Sequence, residues 1–274
     1  MLKENAEKMQ VGVILENNML ANDLFHLKIN VPKIAEKCKP GQFVMIKVIS
    51  GLEPLLRRPF SLHRFERETG IIEIIYQVVG KGTNILSQRK NGEELDILGP
   101  LGNGFSLRGE KRIGVVGGGL GIAPLLAVAE QANNQGKEVV AFLGARTEKY
   151  LFAREDFKAV AQTIVTTDDG SFGNKGPVSR PLERFLEKNT LDLILACGPI
   201  PMLRAIANIA EAKGIPAQLS LEQRMGCGVG ACLGCAFPIK ADTAEGYTYK
   251  RVCYEGPVFW AQDVLFSIPE KVNK

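Results

Sequence analysis

The first hundred residues carry hydrophobic positions in short alternating runs. Leu27, Ile29 and Val31 alternate with polar neighbours, which is the period-two pattern of a strand with one buried face. The runs 43–48 and 71–79 are rich in branched and aromatic residues, and glycine and proline punctuate the intervals. Short strands separated by turn residues predict a small antiparallel barrel or sandwich. A stretch dense in turn formers, 99–104, predicts its end.

From Arg112 onward the pattern of hydrophobic positions changes, because short apolar runs now alternate with amphipathic segments. Such alternation is typical of a doubly wound parallel sheet, whose ligands bind beyond the carboxyl ends of the strands. After Ser220 the periodicity is lost. We therefore expect a β barrel at 1–106, a doubly wound α/β domain at 107–219 and a small C-terminal domain at 220–274. The predicted strands are 113–116, 139–143, 164–166 and 193–196, and the predicted helices are 123–135, 157–162, 181–186 and 202–212.

Composition narrows the class of protein. Of the 274 residues 45% are hydrophobic, and 34 Lys+Arg against 30 Asp+Glu give a net charge of +4. The hydrophobic content supports sizeable cores, and the small, dispersed basic excess argues against a nucleic-acid platform. No apolar run reaches the roughly 20 residues of a membrane span, and residues 1–5 lack a signal-peptide pattern. We therefore expect a cytoplasmic protein that binds neither nucleic acid nor membrane.

Four of the six cysteines crowd into the last fifth of the chain. In a reducing compartment such crowding indicates metal ligation. The first three have the Cys-x4-Cys-x2-Cys spacing of plant-type ferredoxins, whose thiolates hold a [2Fe–2S] cluster, and the interleaved glycines let backbone N–H groups point at sulfur. The alternative is a structural zinc site, which usually carries a Cys-x2-Cys pair in each half; here the second half has a single cysteine. The spacing favours iron–sulfur. The four residues are Cys227, Cys232, Cys235 and Cys253.

A glycine loop, 119–124, lies between a predicted strand and a predicted helix. Glycine permits close approach of a pyrophosphate, and the helix start offers free N–H groups. Pro124 occupies the third glycine position of the ordinary dinucleotide fingerprint, and no acidic residue follows at about twenty positions to hold a ribose. We predict a nucleotide site, but not an ordinary Rossmann dehydrogenase; a tight turn without a ligand is the alternative. Cys197-Gly198-Pro199 follows another predicted strand, which ends at Ala196, and Cys197 is either a small buried residue or part of this site.

The segment Arg57-Arg58-Pro59-Phe60-Ser61 lies inside the predicted barrel. Arg58 suits a phosphate, Phe60 a flat ring, and Ser61 a hydrogen bond to a ring nitrogen or phosphate. A strand with solvated arginines and a core phenylalanine is the alternative. Further on, Gly82-Thr83 predicts a capped helix start that presents N–H groups to a second phosphate oxygen. We interpret His63 as a hydrogen-bonded structural residue.

In this order, Arg-Pro-Phe-Ser, Gly-Thr, Gly-x-Gly-x-x-Pro and Cys-Gly-Pro resemble the motifs of the ferredoxin–NADP reductase superfamily. With the cysteine motif and the segment 252–259, the sequence is similar over nearly its whole length to the electron-transfer subunits of NAD-dependent (type B) dihydroorotate dehydrogenases. The resemblance implies a ferredoxin reductase-like fold, in which the barrel binds FAD, the α/β domain binds NAD(H) as co-substrate and the C-terminal domain holds a [2Fe–2S] cluster.

The resemblance also implies roles for individual residues, none of them acid–base catalysis. Ser61 would lie near flavin N5 and Cys197 near the nicotinamide. The residues expected at FAD are Arg58, Pro59, Phe60, Ser61, Ile75, Tyr76, Gln77, Gly82 and Thr83. Those expected at NAD(H) are Gly119, Gly121, Pro124, Cys197, Gly198 and Pro199, with the flanking segments 119–124 and 197–202. Those expected at the cluster are Cys227, Cys232, Cys235 and Cys253.

Because these three sites occupy the chain, we expect dihydroorotate oxidation on a partner subunit that carries FMN. Electrons would pass from FMN through the cluster and FAD to NAD⁺ in pyrimidine (UMP) biosynthesis, and the resemblance implies a heterotetramer of two plus two subunits. The alternatives are a subunit of a ferredoxin-linked NAD(P)H oxidoreductase (transhydrogenase) or anaerobic sulfite reductase, and a zinc-stabilised nucleotide-binding regulator. Glu148 and Asp168-Asp169 weakly favour NAD over NADP, although Arg146 suits a 2′-phosphate.

Overall fold

The computed structural model describes residues 8–21, 23–49, 51 and 53–267. Residues 1–5, from which the lack of a targeting signal was predicted, lie outside this part of the chain, as do the outer ends of the first and third predicted domains. Among the described residues, no helix combines the length and apolar character needed to cross a membrane.

Seven antiparallel strands form the N-terminal barrel. The sheet order is β4-β3-β7-β1-β2-β6-β5, so β4 and β5 are its two edges. Since only Leu62 and His63 separate these two strands in sequence, the sheet curls until its edges approach one another. Branched side chains such as Ile29 and Ile72 fill the interior, and the barrel prediction is confirmed. The elements are β1 (Met9–Ala21), β2 (Leu24–Asn30), α1 (Pro32–Ala35), β3 (Phe43–Lys47), β4 (Arg58–Ser61), β5 (Arg64–Glu66), β6 (Ile71–Gln77), α2 (Lys81–Ser87) and β7 (Glu94–Leu101).

A parallel sheet flanked by helices follows, as predicted. Its order is β11-β10-β9-β8-β12-β13, so the chain reverses its direction of winding between β8 and β12. Ligands of such sheets bind at this switch point. The elements are β8 (Arg112–Gly118), α3 (Leu125–Asn134), β9 (Glu138–Ala145), α4 (Arg154–Val160), β10 (Gln162–Thr167), β11 (Asn174–Lys175), α5 (Ser179–Leu186), β12 (Leu193–Cys197), α6 (Ile200–Lys213) and β13 (Ala217–Ser220).

One predicted helix was placed wrongly. The expected helix at 157–162 runs instead from Arg154 to Val160, and Gln162 already begins β10. The first turn of α4 is Arg154-Glu155-Asp156. An all-charged turn carries no hydrophobic periodicity, so the pattern became visible only at Phe157.

The C-terminal segment is joined to both preceding domains. β14 (Ala236–Lys240) and β15 (Tyr247–Arg251) form a hairpin, while β16 (Val258–Trp260) pairs antiparallel with β13 and extends the parallel sheet. On the barrel side, the backbone N–H of Asn103 donates to the carbonyl of Gly256 at 2.6 Å. One buried cluster includes Met45, Leu219, Cys235 and Phe259, so side chains from all three regions share a hydrophobic core.

Candidate functional site

Arg58 on β4 lies against the first turn of α2. A Cβ added to Gly82 would come within 2.6 Å of Arg58 Nε, so glycine is what lets the guanidinium approach this turn. Thr83 Oγ1 accepts hydrogen bonds from the N–H groups of Val79 (2.9 Å) and Gly80 (3.2 Å). Thr83 therefore stabilises the turn from the third helical position, not from the cap position. The guanidinium of Arg58, beside the N–H groups of the first turn of α2, suits an anionic phosphate.

The neighbouring Arg57 is held in a different way. Its guanidinium donates to the Asp96 carboxylate at 2.6 Å and to the Asp96 carbonyl at 2.8 Å. Arg57 thus links β7 to the segment before β4, while Arg58 lies beside Gly82. The two adjacent arginines therefore have separate surroundings.

A cavity of about 210 Å³ opens where all three regions meet. Pro59, Phe60, Ser61 and Ile75 of the barrel line it, together with residues of the glycine loop (Leu120, Ala123, Pro124) and of the segment after β13 (220–223 and Met225). Tyr76 lies elsewhere: its side chain is 1% exposed in the barrel core and its hydroxyl donates to Asn17 Oδ1 at 3.0 Å. The strand alternation of β6 thus sends Ile75 into the cavity and Tyr76 away from it.

A second cavity, of about 370 Å³, lies at the switch point of the parallel sheet. Gly119, Gly121, Gly198 and Pro199 line it, as do Gln77, Arg146 and Tyr150. A Cβ added to Gly121 would come within 2.4 Å of the Cys197 carbonyl oxygen, so the glycine loop folds directly onto the end of β12. The two predicted nicotinamide motifs are therefore in contact, as strand topology requires.

Cys197 itself is 1% exposed and lines neither cavity, although its neighbour Gly198 lines the second. Burial raises the pKa of its thiol, and the charge of Glu222 raises it further. The side chain is therefore a neutral thiol at physiological pH, which is small and uncharged beside the cavity.

Glu222 was not predicted as a site residue, yet it lines both cavities, together with Leu120. Its side chain is accessible through the open cavities, but the surrounding walls remove enough water to raise the pKa of its carboxyl group. A signal was present in the sequence: Glu222 is the first charged residue after the apolar strand β13, at the carboxyl end where ligands bind.

The first two cysteines of the cluster segment form one pair. The Sγ of Cys227 accepts hydrogen bonds from the N–H groups of Ala231 (3.2 Å) and Cys232 (3.4 Å), and the side chains of Cys227 and Cys232 contact one another. Burial raises the pKa of the Cys227 thiol, but hydrogen bonds from backbone N–H groups outweigh this effect and bring it to about 7. Backbone dipoles here favour a thiolate, the form that binds metal.

The other two cysteines form a second, buried pair. The backbone N–H of Cys253 donates to the Cys235 Sγ at 3.4 Å, and the Cys253 Sγ accepts the N–H of Gly230 at 3.3 Å. Within the described ranges, no three Cys, His, Asp or Glu side chains surround a position for a single metal ion. Hydrogen bonds link Cys227 with Cys232 and Cys235 with Cys253 as two pairs, whereas a structural zinc site gathers four ligands around one ion.

The cysteine loop packs onto the barrel. Gly228 has φ +73°, and a Cβ added there would come within 2.6 Å of Met45 Cγ on β3. Met45 is the cross-strand neighbour of Pro59 on β4. Arg251 braces the loop from the other side by donating to the Gly230 carbonyl at 2.6 Å while it pairs with Glu255. The cysteine loop therefore packs on β3 at the residue next to Pro59 of β4, which lines the first cavity.

Known proteins match the three regions separately. Residues 12–105 match the oxidoreductase FAD-binding domain, residues 115–208 match the oxidoreductase NAD-binding domain, and residues 222–265 match the iron–sulfur cluster binding domain of dihydroorotate dehydrogenase B. The chain is 42% identical over 253 residues to the "Dihydroorotate dehydrogenase B (NAD(+)), electron transfer subunit" of Caldanaerobacter subterraneus subsp. tengcongensis, covering 92% of this chain and 97% of that protein. The protein of the same name from Geobacillus kaustophilus is 43% identical over 256 residues, with 92% and 96% coverage.

The chain belongs to the family of dihydroorotate dehydrogenase B electron-transfer subunits. It is an oxidoreductase component, and FAD, NAD(H) and an iron–sulfur cluster are its redox groups. The resemblance drawn from the motifs is thereby confirmed. Among solved structures, a NADH-dependent reduced ferredoxin–NADP oxidoreductase, described in connection with flavin-based electron bifurcation, superposes with a TM-score of 0.85 at 30% identity, covering 94% of this chain and 90% of that one. This ferredoxin reductase-like fold confirms the predicted architecture.

Proposed function

We propose that this chain carries electrons between NAD⁺ and a catalytic dihydroorotate dehydrogenase subunit that bears FMN. The observation that carries this proposal is the convergence of the three motif sets. The two cavities share Leu120 and Glu222, and the cysteine loop lies on Met45, next to Pro59 of the first cavity. When bound, FAD exchanges two electrons with nicotinamide and single electrons with an iron–sulfur cluster, which is why a flavin must lie between them.

In this proposal the barrel holds FAD. Arg58, Gly82 and Thr83 bind its pyrophosphate, because the guanidinium lies beside the first turn of α2. Ser61 and Ile75 line the first cavity, in which the isoalloxazine ring would bind. The remaining expected contacts are Pro59 and Phe60 in the same cavity, Gln77 in the second cavity, and Tyr76, whose backbone alone is available.

The glycine loop and the end of β12 hold NAD(H). Gly119, Gly121, Gly198 and Pro199 line the second cavity, Pro124 lines the first, and Cys197 is a buried neutral thiol next to Gly198. A neutral residue there suits the site, since the nicotinamide ring changes its charge on oxidation and a fixed thiolate would favour only one of its states. Arg146 also lines the cavity.

Cys227, Cys232, Cys235 and Cys253 hold the cluster, which we propose to be [2Fe–2S]. The arrangement of the cysteines in two pairs supports a cluster of two irons, in which each pair would hold one iron. Backbone N–H groups of Gly230, Ala231 and Cys232 already point at these sulfurs, which offsets the negative charge of four thiolates. The exposed Cys232 gives the cluster one open side.

We further propose that 1–106, 107–219 and 220–274 are the FAD, NAD and cluster domains, supported by the matched ranges 12–105, 115–208 and 222–265. The partner is the FMN subunit, in a heterotetramer of two plus two. All six cysteines lie among the described residues and none forms a disulfide, which supports a reducing, cytoplasmic setting.

Co-expression with the catalytic subunit tests the function directly. We expect the two chains to co-purify and to reduce NAD⁺ with dihydroorotate as the donor. The mass of the complex gives its stoichiometry, and FMN analysis of the separated subunits gives the flavin assignment. If the complex forms but reduces NAD⁺ only with reduced ferredoxin, the ferredoxin-linked alternative replaces this proposal.

A further inference from the structure

His63 lies at the seam of the barrel, between Ser61 at the end of β4 and Arg64 at the start of β5. Its backbone N–H donates to the Glu73 carbonyl at 2.8 Å, and its side chain is 3% exposed. His63 also lines a cavity of about 350 Å³ together with His26, Glu73 and Phe152. It follows Ser61, which lines the first cavity, by two residues.

The imidazole reaches out of the barrel into the nicotinamide domain. Its Nδ1 lies 2.8 Å from the carbonyl oxygen of Ala123, and a carbonyl can only accept, so Nδ1 carries the proton. Ala123 ends the 3₁₀ turn Gly119–Ile122 and lines the first cavity together with Ser61. A single buried hydrogen bond therefore joins the flavin-side strand to the glycine loop.

The ring stays neutral and fixed. Burial lowers the pKa of His63 to about 4, against a smaller raising effect of the Ala123 hydrogen bond. Phe152 packs edge-on at 6.4 Å between ring centroids, and His26, itself 2.6 Å from the Glu73 carboxylate, packs edge-on at 6.0 Å. The imidazole is thus suited to fixing the distance between the barrel and the glycine loop rather than to transferring protons.

Arg64 makes a second, outer connection between the same domains. Its guanidinium donates to Glu130 on α3 and, at 3.1 Å, to Asp156 on α4. These ion pairs are half-exposed, so they contribute modestly to stability. They attach α3 and α4 to the barrel and do not involve the glycine loop. The two adjacent residues therefore constrain different parts of the nicotinamide domain.

We propose that His63 is a positioning residue for hydride transfer: its Nδ1–H bond to Ala123 sets the separation between Ser61 and the glycine loop. This inference rests on the proposed function. In the transfer a hydride leaves NADH, giving NAD⁺, and FAD becomes reduced by that hydride and one proton from water. The rate of such a transfer depends steeply on the separation of the reacting atoms. The hydrogen bond from His63 to Ala123 joins the barrel to the glycine loop, and residues of both line the first cavity.

Two amide substitutions test the bond. In His63→Asn the side-chain N–H₂ occupies the place of Nδ1 and keeps the donor, whereas in His63→Gln it lies where Nε2 was and loses the bond to Ala123. Amide hydrogen exchange of the full chain, loaded with FAD and cluster, reports on the loop without reference to activity. We expect exchange in 117–125 to accelerate roughly tenfold in the Gln variant and to match the wild type in the Asn variant.

Anaerobic stopped-flow reduction of FAD by NADH gives the second readout. The limiting rate should fall about tenfold or more in His63→Gln with the NADH dissociation constant changed less than about threefold, and His63→Asn should recover to within about threefold. Arg64→Gln is the matched control, and it should accelerate exchange in α3 and α4 while leaving the glycine loop protected.

The results of these experiments distinguish a failure of the positioning role from a failure of the proposed function. If both His63 variants behave alike in exchange and in limiting rate, or if both lose FAD or fail to fold, the positioning role is overturned. If wild-type FAD is not reduced by NADH at all, the proposed function fails instead, which the wild-type trace shows without any variant.

Discussion

Gly228 of the cysteine loop rests on Met45 of the barrel, with room for a hydrogen atom but not for a methyl group. A Cβ at Gly228 would lie 2.6 Å from Met45 Cγ and 3.1 Å from its sulfur. Met45 belongs to the shared hydrophobic core and neighbours Pro59 across the strands. The position of the cysteine loop is therefore set by direct packing against the flavin-side sheet.

Replacing Gly228 by alanine should lift the loop off the barrel. The left-handed backbone costs about 1–2 kcal/mol for a non-glycine residue, and overpacking adds about 1–3 kcal/mol. Gly136→Ala is the matched control, since Gly136 has the same φ of +73° with nothing within 4 Å, and it should show only the backbone cost. Urea unfolding measures both. We also expect slower electron passage from the partner to NAD⁺ in Gly228→Ala alone; equal behaviour of the two variants would contradict the packing argument.

Cys232→Ser should abolish the visible absorption of the cluster and stop electron passage from the partner, because one thiolate ligand is lost. Reduction of FAD by NADH should persist, since Cys232 lines neither cavity. Cys38→Ala serves as the control, because Cys38 is buried in the barrel with its thiol donating to Ile34 at 3.2 Å. Anaerobic absorption spectra and stopped-flow traces give the readouts. An unaltered cluster spectrum in Cys232→Ser would remove this residue from the ligand set.

Arg58→Gln should weaken FAD binding about ten- to hundredfold, because a charge-assisted hydrogen bond to phosphate contributes about 1.5–3 kcal/mol. Arg57→Gln, one residue earlier, should leave the FAD dissociation constant within about threefold and lower stability instead, because Arg57 is tied to Asp96. Quenching of flavin fluorescence on titrating the FAD-free chain measures both constants. Equal weakening in the two variants would argue against a specific phosphate contact at Arg58.

The buried His63 should make the fold acid-sensitive. Its pKa is about 4 in the folded chain against 6.5 ordinarily, so between these values the unfolded chain binds a proton that the folded chain does not. Stability therefore rises with pH through this window and is lost as the pH falls. From pH 7 to pH 5 the loss due to this residue is about 2 kcal/mol. His63→Asn lacks the titrating group, so urea unfolding at both pH values should show a smaller acid loss in the variant. An identical loss in both proteins would mean that His63 titrates normally.

Local patterns sufficed to predict much of this molecule. The alternation of the barrel strands, the glycine loop 119–124 and the cysteine spacing are each encoded within about a dozen consecutive residues. The strand-end position of Cys197-Gly198-Pro199 followed from the same alternation, because carboxyl ends of parallel strands meet at one edge.

Contacts between distant positions were not predictable in this way. The bond from His63 to Ala123 and the packing of Gly228 on Met45 join residues 60 and more than 180 positions apart, and no periodic signal links such partners. Glu222 was not predicted as a site residue for a related reason. It lines two cavities that form only when the three regions pack together.

The pairing of β16 with β13 has a consequence for how the chain must operate. In many redox proteins a flexibly tethered domain carries electrons by moving between the donor and the acceptor. Here the strand that follows the last cysteine pairs with the edge of the same sheet whose loops line the second cavity, so the cluster segment is attached to that sheet rather than carried on a free tether. We therefore expect the partner subunit to dock against this chain, and the rate of electron transfer to depend on docking and on a fixed internal distance rather than on movement of the cluster segment.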